Sequence, residues 1–185
     1  MITLRKGTIE DAPFIAQMVM TALHLDYESD DRLYRQIIKL VKDEKTLYSW
    51  HRCVIATEGK ECAGLCLAYD GKDYHERKIR SFTMPYDDGG TLGEEDSSLL
   101  EQEDEAGEGE FYIDSLAVAA KYRKHGIGKQ LMLDAISRGK ELGLLPTLLV
   151  DPENSNAIKL YTSLGFHYKR DMFAFGQIYH KYHHN

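Results

Sequence analysis

The chain has 185 residues, 43% of them hydrophobic, and a net charge of −7, which suits one domain with a full core. No stretch approaches the ~20 consecutive apolar residues of a membrane span, and residues 1–11 lack the apolar run of a signal peptide. The acidic balance argues against nucleic acid as a main partner. Three cysteines, Cys53, Cys62 and Cys66, fit reduced thiols in a cytoplasmic protein, as small buried hydrophobes rather than metal ligands or nucleophiles.

In chain order, Ile2 to Arg5 reads as a short first strand. Thr8-Ile9-Glu10-Asp11 is a helix-start signal with Pro13 in the first turn, and Ile15, Ala16, Val19, Ala22 and Leu23 recur at helical spacing. A second helix is expected over about Asp30 to Lys42, with Leu33, Ile37, Leu40 and Val41 on one face. Strands follow at about Ser49 to Thr57 and Cys62 to Tyr69, joined by a turn at Glu58-Gly59-Lys60-Glu61.

Residues 70 to 109 interrupt this pattern. They are polar, acidic and Gly-rich, and a connection this long is functional, partly helical or mobile. Residues 87 to 110 hold eleven carboxylates and no Lys or Arg, so the remainder of the chain is net basic. A solvated acidic loop is favoured over a functional lid, with a short helical turn at Ser97 to Gln102.

Next come a strand at Phe111 to Val118, the loop Arg123-Lys124-His125-Gly126-Ile127-Gly128, and a helix from about Gly126 to Gly143. Its apolar stripe is Ile127, Leu131, Met132, Ala135, Ile136 and Leu142. Glycines at the mouth of a helix let a ligand approach the backbone closely. The first N–H groups of the helix have no partner inside it, so a multiply charged phosphate fits there. Lys121, Arg123, Lys124 and Lys129 add local positive charge.

Thr147 to Val150 reads as a short buried strand. The last helix is expected from about Asn154, its cap, to Leu164, with Ala157, Leu160, Tyr161 and Leu164 on one face and Gly165 ending it. Phe166 to Arg170 and Met172 to Tyr179 read as a final antiparallel pair. The tail, Tyr182-His183-His184-Asn185, is expected to fray, and His180, His183 and His184 to be solvated rather than to hold a metal. There is no internal repeat, so the expectation is a single domain over 1–185 with an acidic insertion at about 70–109.

Leu116-Ala117-Val118 followed by Arg123-x-x-Gly126-x-Gly128 resembles motif A of the GNAT superfamily of acyl-CoA-dependent N-acyltransferases. Asn154-x-x-Ala157-x-x-Leu160-Tyr161-x-x-x-Gly165-Phe166 resembles its motif B, in the family's order and separation. Leu4-Arg5-x-x-Thr8-x-x-Asp11 is similar to the family's N-terminal opening. The resemblance leaves out only residues 70 to 109, where the family usually has a short turn. It implies an α+β fold: a mixed, mostly antiparallel central sheet of about six to seven strands flanked by about four helices, with a splayed parallel strand pair at the cofactor site.

The resemblance further implies an N-acetyltransferase that moves an acetyl group from acetyl-CoA directly to a primary amine of a small molecule or peptide, with no metal. On that reading the pyrophosphate sits on the amides from His125 to Lys129, across Gly126, Ile127 and Gly128, and Arg123 and Lys124 add charge. The pantetheine arm lies along Leu116, Ala117 and Val118 like an extra strand, and the Val118 N–H is the donor to the thioester oxygen. Tyr161 resembles the family's general acid for the leaving thiolate; without the resemblance, a Tyr at that spacing reads as a core residue. Asn154 can also touch the cofactor's arm, and His125 is a spacer in the phosphate loop.

The acceptor must lose a proton, because an alkylamine of pKa ~10 is roughly 0.1% neutral at pH 7. Family members often use a carboxylate on the strand leading into motif A. Asp114 is the first candidate and Glu110 the second, both on the face of Tyr112, Leu116 and Val118 by period-two alternation; Asp114 reads equally as a cap or ion-pair partner. The insertion's carboxylates, if beside the acceptor mouth, favour a cationic acceptor such as a polyamine, an aminoglycoside-like amine or a Lys-rich peptide. Other readings make the insertion a dimer contact or disorder, and a homodimer is a family-level expectation. The rival function is a non-catalytic acyl-CoA-binding sensor or interaction module. A dinucleotide-binding fold is weaker, since G-x-G-x-x-G is incomplete and the strand order does not read as repeated βαβ.

Overall fold

The computed structural model describes residues 1–25, 31–86 and 94–185, with the backbone alone for Tyr86, Glu94, Glu95 and Asp96. Among these there are seven strands and six α-helices. In chain order they are β1 (Ile2–Lys6), α1 (Ala12–Ala22), α2 (Asp31–Lys42), β2 (Cys53–Glu58), β3 (Glu61–Asp70), α3 (Tyr74–Thr83), α4 (Glu94–Glu101), β4 (Glu110–Val118), α5 (Ile127–Glu141), β5 (Leu145–Val150), α6 (Ser155–Ser163), β6 (Phe166–Ala174) and β7 (Gln177–His184). The strands form one sheet in the order β1-β2-β3-β4-β5-β7-β6. β4 and β5 pair in parallel, and the β1–β2, β2–β3, β5–β7 and β6–β7 pairs are antiparallel. This is the mixed, mostly antiparallel α+β arrangement expected from the sequence. Asp30, where the second helix was expected to begin, lies outside the described residues. The chain divides into two compact units, residues 1–68 with 115–134 and residues 69–114 with 135–185.

In the first unit, β1 pairs with β2 from Ile2↔Glu58 to Lys6↔Val54. Gly59 turns the chain into β3 at φ 59°, a conformation that glycine adopts without a Cβ penalty. Ile55, Ala56, Leu65, Cys66 and Leu67 are all buried, as interior strands covered on both faces require. Helix α1 buries Ile15, Ala16 and Val19 as the spacing predicts, and α2 buries Ile37, Leu40 and Val41. Cys53 and Cys66 are buried and Cys62 half-buried.

Entry into α1 is fixed by one carboxylate. Arg5 donates from Nη1 and Nη2 to Asp11 at 2.7 and 2.7 Å, while Thr8 N and Oγ1 donate to Asp11 Oδ2 at 2.8 and 2.9 Å. The Arg5 hydrogen bond holds the Asp11 carboxyl below its ordinary range. β2 begins later than the expected Ser49. Residues Trp50–Arg52 form a 3-10 turn, held by Arg52 Nη1 donating to the carbonyls of Glu44 and Thr46 at 3.1 and 2.7 Å.

In the second unit, β4 pairs with β5 from Glu110↔Leu145 to Ile113↔Leu148. β6 and β7 form a hairpin through Phe175 and Gly176, both in left-handed conformation at φ 50° and 80°, the geometry of a two-residue turn whose twist matches the strands. The sequence reading is corrected in three places here. β6 does not break at Asp171; it absorbs a register shift between Tyr168 and Arg170 and runs on to Ala174. The tail does not fray: β7 lies between β5 and β6 and bonds to both, with Lys181 and Tyr182 buried. Leu142 is exposed, because α5 stops at Glu141 and Gly143 turns the chain at φ 71°.

Residues 87–93 of the acidic insertion lie outside the described residues, and in the rest the expected solvated loop gives way to helix: α3, and α4 over the helical turn expected at Ser97 to Gln102. These raise the expected four helices to six, and the end of the segment is anchored by two buried lysines. Lys78 donates to the Gln102 carbonyl at 2.6 Å and to Asp104 at 3.2 Å. Lys181 donates to the Glu105 carbonyl at 2.9 Å and to Glu110 at 2.7 Å. Each buried ammonium thus has both a carbonyl and a counter-charge, as burial of an ion requires. Arg170 binds Glu103, and the Phe175 N–H donates to Gln102 at 2.9 Å. Gly71 lies against Gly107, where an added Cβ would meet the Gly107 nitrogen at 2.9 Å.

Candidate active site

In the first unit, β4 leads into the glycine loop. Burial alternates along it: Ser115 and Ala117 are buried, Asp114, Leu116 and Val118 half-buried, as the period-two reading predicts. The Ala119 N–H donates to the Ala63 carbonyl at 2.9 Å, which holds the strand's end. Arg123 Nε folds back to the Val118 carbonyl at 3.0 Å. Lys121 pairs with Glu61, and the Tyr122 hydroxyl donates to the same carboxylate at 2.6 Å. The Lys121 hydrogen bond, followed by that of Tyr122, lowers the Glu61 carboxyl. Of the four cations near the loop, Lys121 is therefore partly neutralised, whereas Lys124 and Lys129 stand exposed.

The loop reverses hand twice. Lys124 and Gly126 lie at φ 65° and 77° with extended Arg123 before them, and such alternation turns successive amides to one side. Ile127 is 1% exposed and pins the start of α5. The packing below it is close: a Cβ on Gly64 would meet the Ala117 carbonyl at 3.0 Å and Ile127 Cγ2 at 3.2 Å. The Gln130 N–H is bonded to the Gly126 carbonyl at 3.1 Å. The amides of Ile127, Gly128 and Lys129 belong to the turn before it, which has no intrahelical acceptor. A Cβ on Gly126 would meet no protein atom within 4 Å, so the turn is open on that side. A diphosphate matches this turn in charge and in donors.

The second unit holds an enclosed group of carboxylates and phenols. The Tyr69 hydroxyl donates to Asp114 Oδ2 at 2.6 Å. The Tyr74 hydroxyl donates to Glu105 Oε1 at 2.8 Å, and Tyr112 donates to Glu105 Oε2. The three rings pack with centroids 5.9, 6.2 and 6.4 Å apart. Burial, and next the charge of Asp114, push the Glu105 carboxyl up to about 7, against the Tyr112 and Tyr74 hydrogen bonds and the charge of Lys78. The Tyr69 and Tyr112 phenols are raised by burial first and by these carboxylates second.

Glu110, the second candidate base, is engaged on both oxygens: Lys181 Nζ and the Gly107 N–H bind Oε2 at 2.7 and 3.3 Å, and Lys169 Nζ lies 3.6 Å from Oε1. Asn154 caps α6 as expected, its Oδ1 accepting from the Ala157 N–H at 3.1 Å. Tyr161 is half-buried on α6, its ring edge-on to Phe166 with centroids 6.1 Å apart. Among the described residues no group of three or more His, Cys, Asp or Glu is arranged to hold a metal, and no helix is long and apolar enough to cross a membrane.

The sequence profile of the acetyltransferase (GNAT) family matches residues 16–166. The chain belongs to the GNAT acetyltransferase family. Solved structures share the fold of this GNAT chain. An N-acetyltransferase from Staphylococcus aureus Mu50 is similar at a TM-score of 0.79 and 22% identity, covering 98% of this chain and 99% of that one. A second acetyltransferase matches at a TM-score of 0.75 and 23% identity, over 99% of this chain and 98% of that one. The NatC complex, solved with Gag peptide and CoA, matches at a TM-score of 0.58 and 19% identity, over 99% and 97% of the two chains. No curated protein sequence matches the chain.

Against the sequence reading, the first unit of this GNAT chain carries Leu116, Ala117, Val118, Arg123, Lys124, His125, Gly126, Ile127, Gly128 and Lys129. The second carries Tyr161, Asp114, Glu110 and Asn154. Sequence reasoning misses Glu105, Tyr69 and Tyr74. Glu105 stands in a run of carboxylates that differ in nothing the sequence displays, and Tyr69 reads as the last apolar residue of a strand. The one available signal was Tyr112 two residues before Asp114, which puts a phenol beside the candidate base.

Proposed function

We propose that this GNAT protein is an N-acetyltransferase that passes an acetyl group from acetyl-CoA directly to a primary amine of a small molecule or peptide. It would act as a single domain over residues 1–185, without a metal, in the cytoplasm. The observation that carries this reading is the left-handed turn at Lys124 and Gly126, with open space above Gly126, where β4 passes into α5. Such a turn presents amide donors to a diphosphate without a side chain in the way. The NatC complex, which shares the fold, was solved with CoA and a peptide, and that supports both carrier and acceptor class.

In this reading the amides of Ile127, Gly128 and Lys129 hold the diphosphate, with His125 and Gly126 shaping the turn and Arg123 and Lys124 adding charge. Residues 116–118 lie along the pantetheine arm, Asn154 is a further contact to that arm, and the Val118 N–H faces the thioester oxygen, where charge builds in the transition state. The carrier supplies an activated acyl carbon and a thiolate leaving group. Tyr161 gives a proton to the departing sulphur. Asp114 is the first candidate for the proton acceptor of the amine and Glu110, which binds Lys181 and Lys169, the second.

A thiol-release assay over a panel of primary amines tests this. Release that depends on both acetyl-CoA and an amine supports the enzyme. Saturable acetyl-CoA binding with no release across the panel supports the sensor instead.

A further inference from the structure

Glu105 enters the second unit from the acidic insertion, outside both sequence motifs, yet it sits among the groups around Asp114. From α3 it meets the Tyr74 hydroxyl at 2.8 Å and the charge of Lys78. From β4 it meets the Tyr112 hydroxyl and the charge of Asp114. The Tyr69 hydroxyl of β3 is bonded to Asp114 at 2.6 Å, and Lys181 of β7 holds the Glu105 carbonyl at 2.9 Å. Lys78 is itself bonded to Gln102 and Asp104, and Lys181 to Glu110. Among the described residues, the ion pairs of these two lysines are with Asp104 and Glu110.

We propose that Asp114 and Glu105 form one proton-accepting pair, in which the proton taken from the acceptor's ammonium comes to rest on Glu105. This rests on the acyltransferase reading and deepens it at the base. Asp114 accepts from Tyr69 and Glu105 from Tyr74 and Tyr112, three phenols whose rings pack on one another, and like charges in one such cluster resist being ionised together, so their protons belong to the pair. Asp114, on the half-buried face of β4, meets the amine. Glu105 acts through it, as a positioning residue that stores the proton.

Over the reaction the amine nitrogen loses two protons. One goes to the pair and on to water. The other ends on sulphur, where it replaces the acetyl group, as the nitrogen lone pair forms the C–N bond and the C–S bond breaks. Burial and the charge of Asp114 set the Glu105 carboxyl near 7, where a base works best at neutral pH.

The test is the pH dependence of thiol release from acetyl-CoA with spermidine, kanamycin and a Lys-rich peptide, for the unsubstituted protein and Glu105→Gln. The acid limb should lie near pH 7 in the former. In the variant it should move down by about one pH unit or more, with kcat lowered about tenfold and the KM for acetyl-CoA unchanged. Turnover whose limb is unmoved by the substitution overturns the inference alone. Absence of release with all three amines in the unsubstituted protein contradicts the acyltransferase reading and takes this inference with it.

A second readout needs neither activity nor the variant: the side-chain carboxyl 13C signal of Glu105 in the free protein. It should titrate near 7, and titration in the ordinary carboxylate range overturns the inference even if Glu105→Gln fails to fold.

Discussion

Lys181 Nζ lies 2.7 Å from Glu110 Oε2, with the two side chains 5% and 14% exposed. The same ammonium holds the Glu105 carbonyl, so the last strand ties down both ends of residues 105–110. That tie fixes the backbone at Glu105, whose carboxyl feels the charge of Asp114, and at the same time commits Glu110 to a structural role. Removing one partner of an enclosed ion pair leaves a buried charge without compensation. Lys181→Met should therefore destabilise the fold by about 3 kcal/mol, and adding Glu110→Gln should recover part of the loss. Urea unfolding of the single and double variants measures both.

A raised carboxyl pKa also shapes stability. Glu105 sits at about 7 in the fold against an ordinary 4.5. Between those values the folded state holds a proton that the unfolded chain has lost, so this group makes stability fall as pH rises from about 4.5 to about 7, with no further change above. Glu105→Gln should remove that slope. Unfolding free energies at pH 5 and pH 8 check it, and the variant should gain on the unsubstituted protein at the higher pH.

Asp11 carries the opposite sign. Its carboxyl is lowered by Arg5, so its contribution is complete above the ordinary Asp range and is lost as pH falls through the depressed value. Asp11→Asn breaks a bidentate pair and a cap together and should cost about 1–2 kcal/mol at pH 7. Thermal unfolding at pH 7 and pH 3 should show the difference shrinking in acid.

Gly126 and Gly64 should separate binding from folding. At Gly126 the strain is one left-handed residue, about 1 kcal/mol, and the new Cβ stands where a phosphate would approach. Gly126→Ala should leave a folded protein that binds acetyl-CoA about tenfold more weakly. At Gly64 the Cβ would meet the Ala117 carbonyl and Ile127, so Gly64→Ala should lower the melting temperature more than Gly126→Ala does.

Tyr161→Phe keeps the ring against Phe166 and removes only the hydroxyl. Turnover should fall about a hundredfold, with acetyl-CoA affinity unchanged by calorimetry. An unchanged rate with a good acceptor removes Tyr161 from the proton path.

The two motifs, the Asn154 cap and the Arg5–Asp11 opening were legible in the sequence because each is local. A cap, a glycine turn or a salt bridge six residues long is specified by neighbours in the chain. Most of the apolar stripes of α1, α2 and α5 were legible through periodicity, with Leu23 and Leu142 exposed where the helices have ended. What stayed hidden depends on distant partners. β7 looks polar, and only its place between β5 and β6 buries Lys181 and Tyr182. The insertion looks solvated, but Lys78, Arg170 and Lys181 hold Asp104, Glu103 and Glu110. With those carboxylates committed, an attraction for cationic acceptors would have to come from others in the insertion. Glu105 differs from its neighbours only by what the fold sets around it.

Calorimetric titration of the folded protein with acetyl-CoA tests the central claim, that the turn from His125 to Lys129 holds the carrier's diphosphate. Saturable heat at one site, weakened by Gly126→Ala and by added salt, is expected. No saturable heat on folded protein, or an isotherm that Gly126→Ala leaves unchanged, would contradict it.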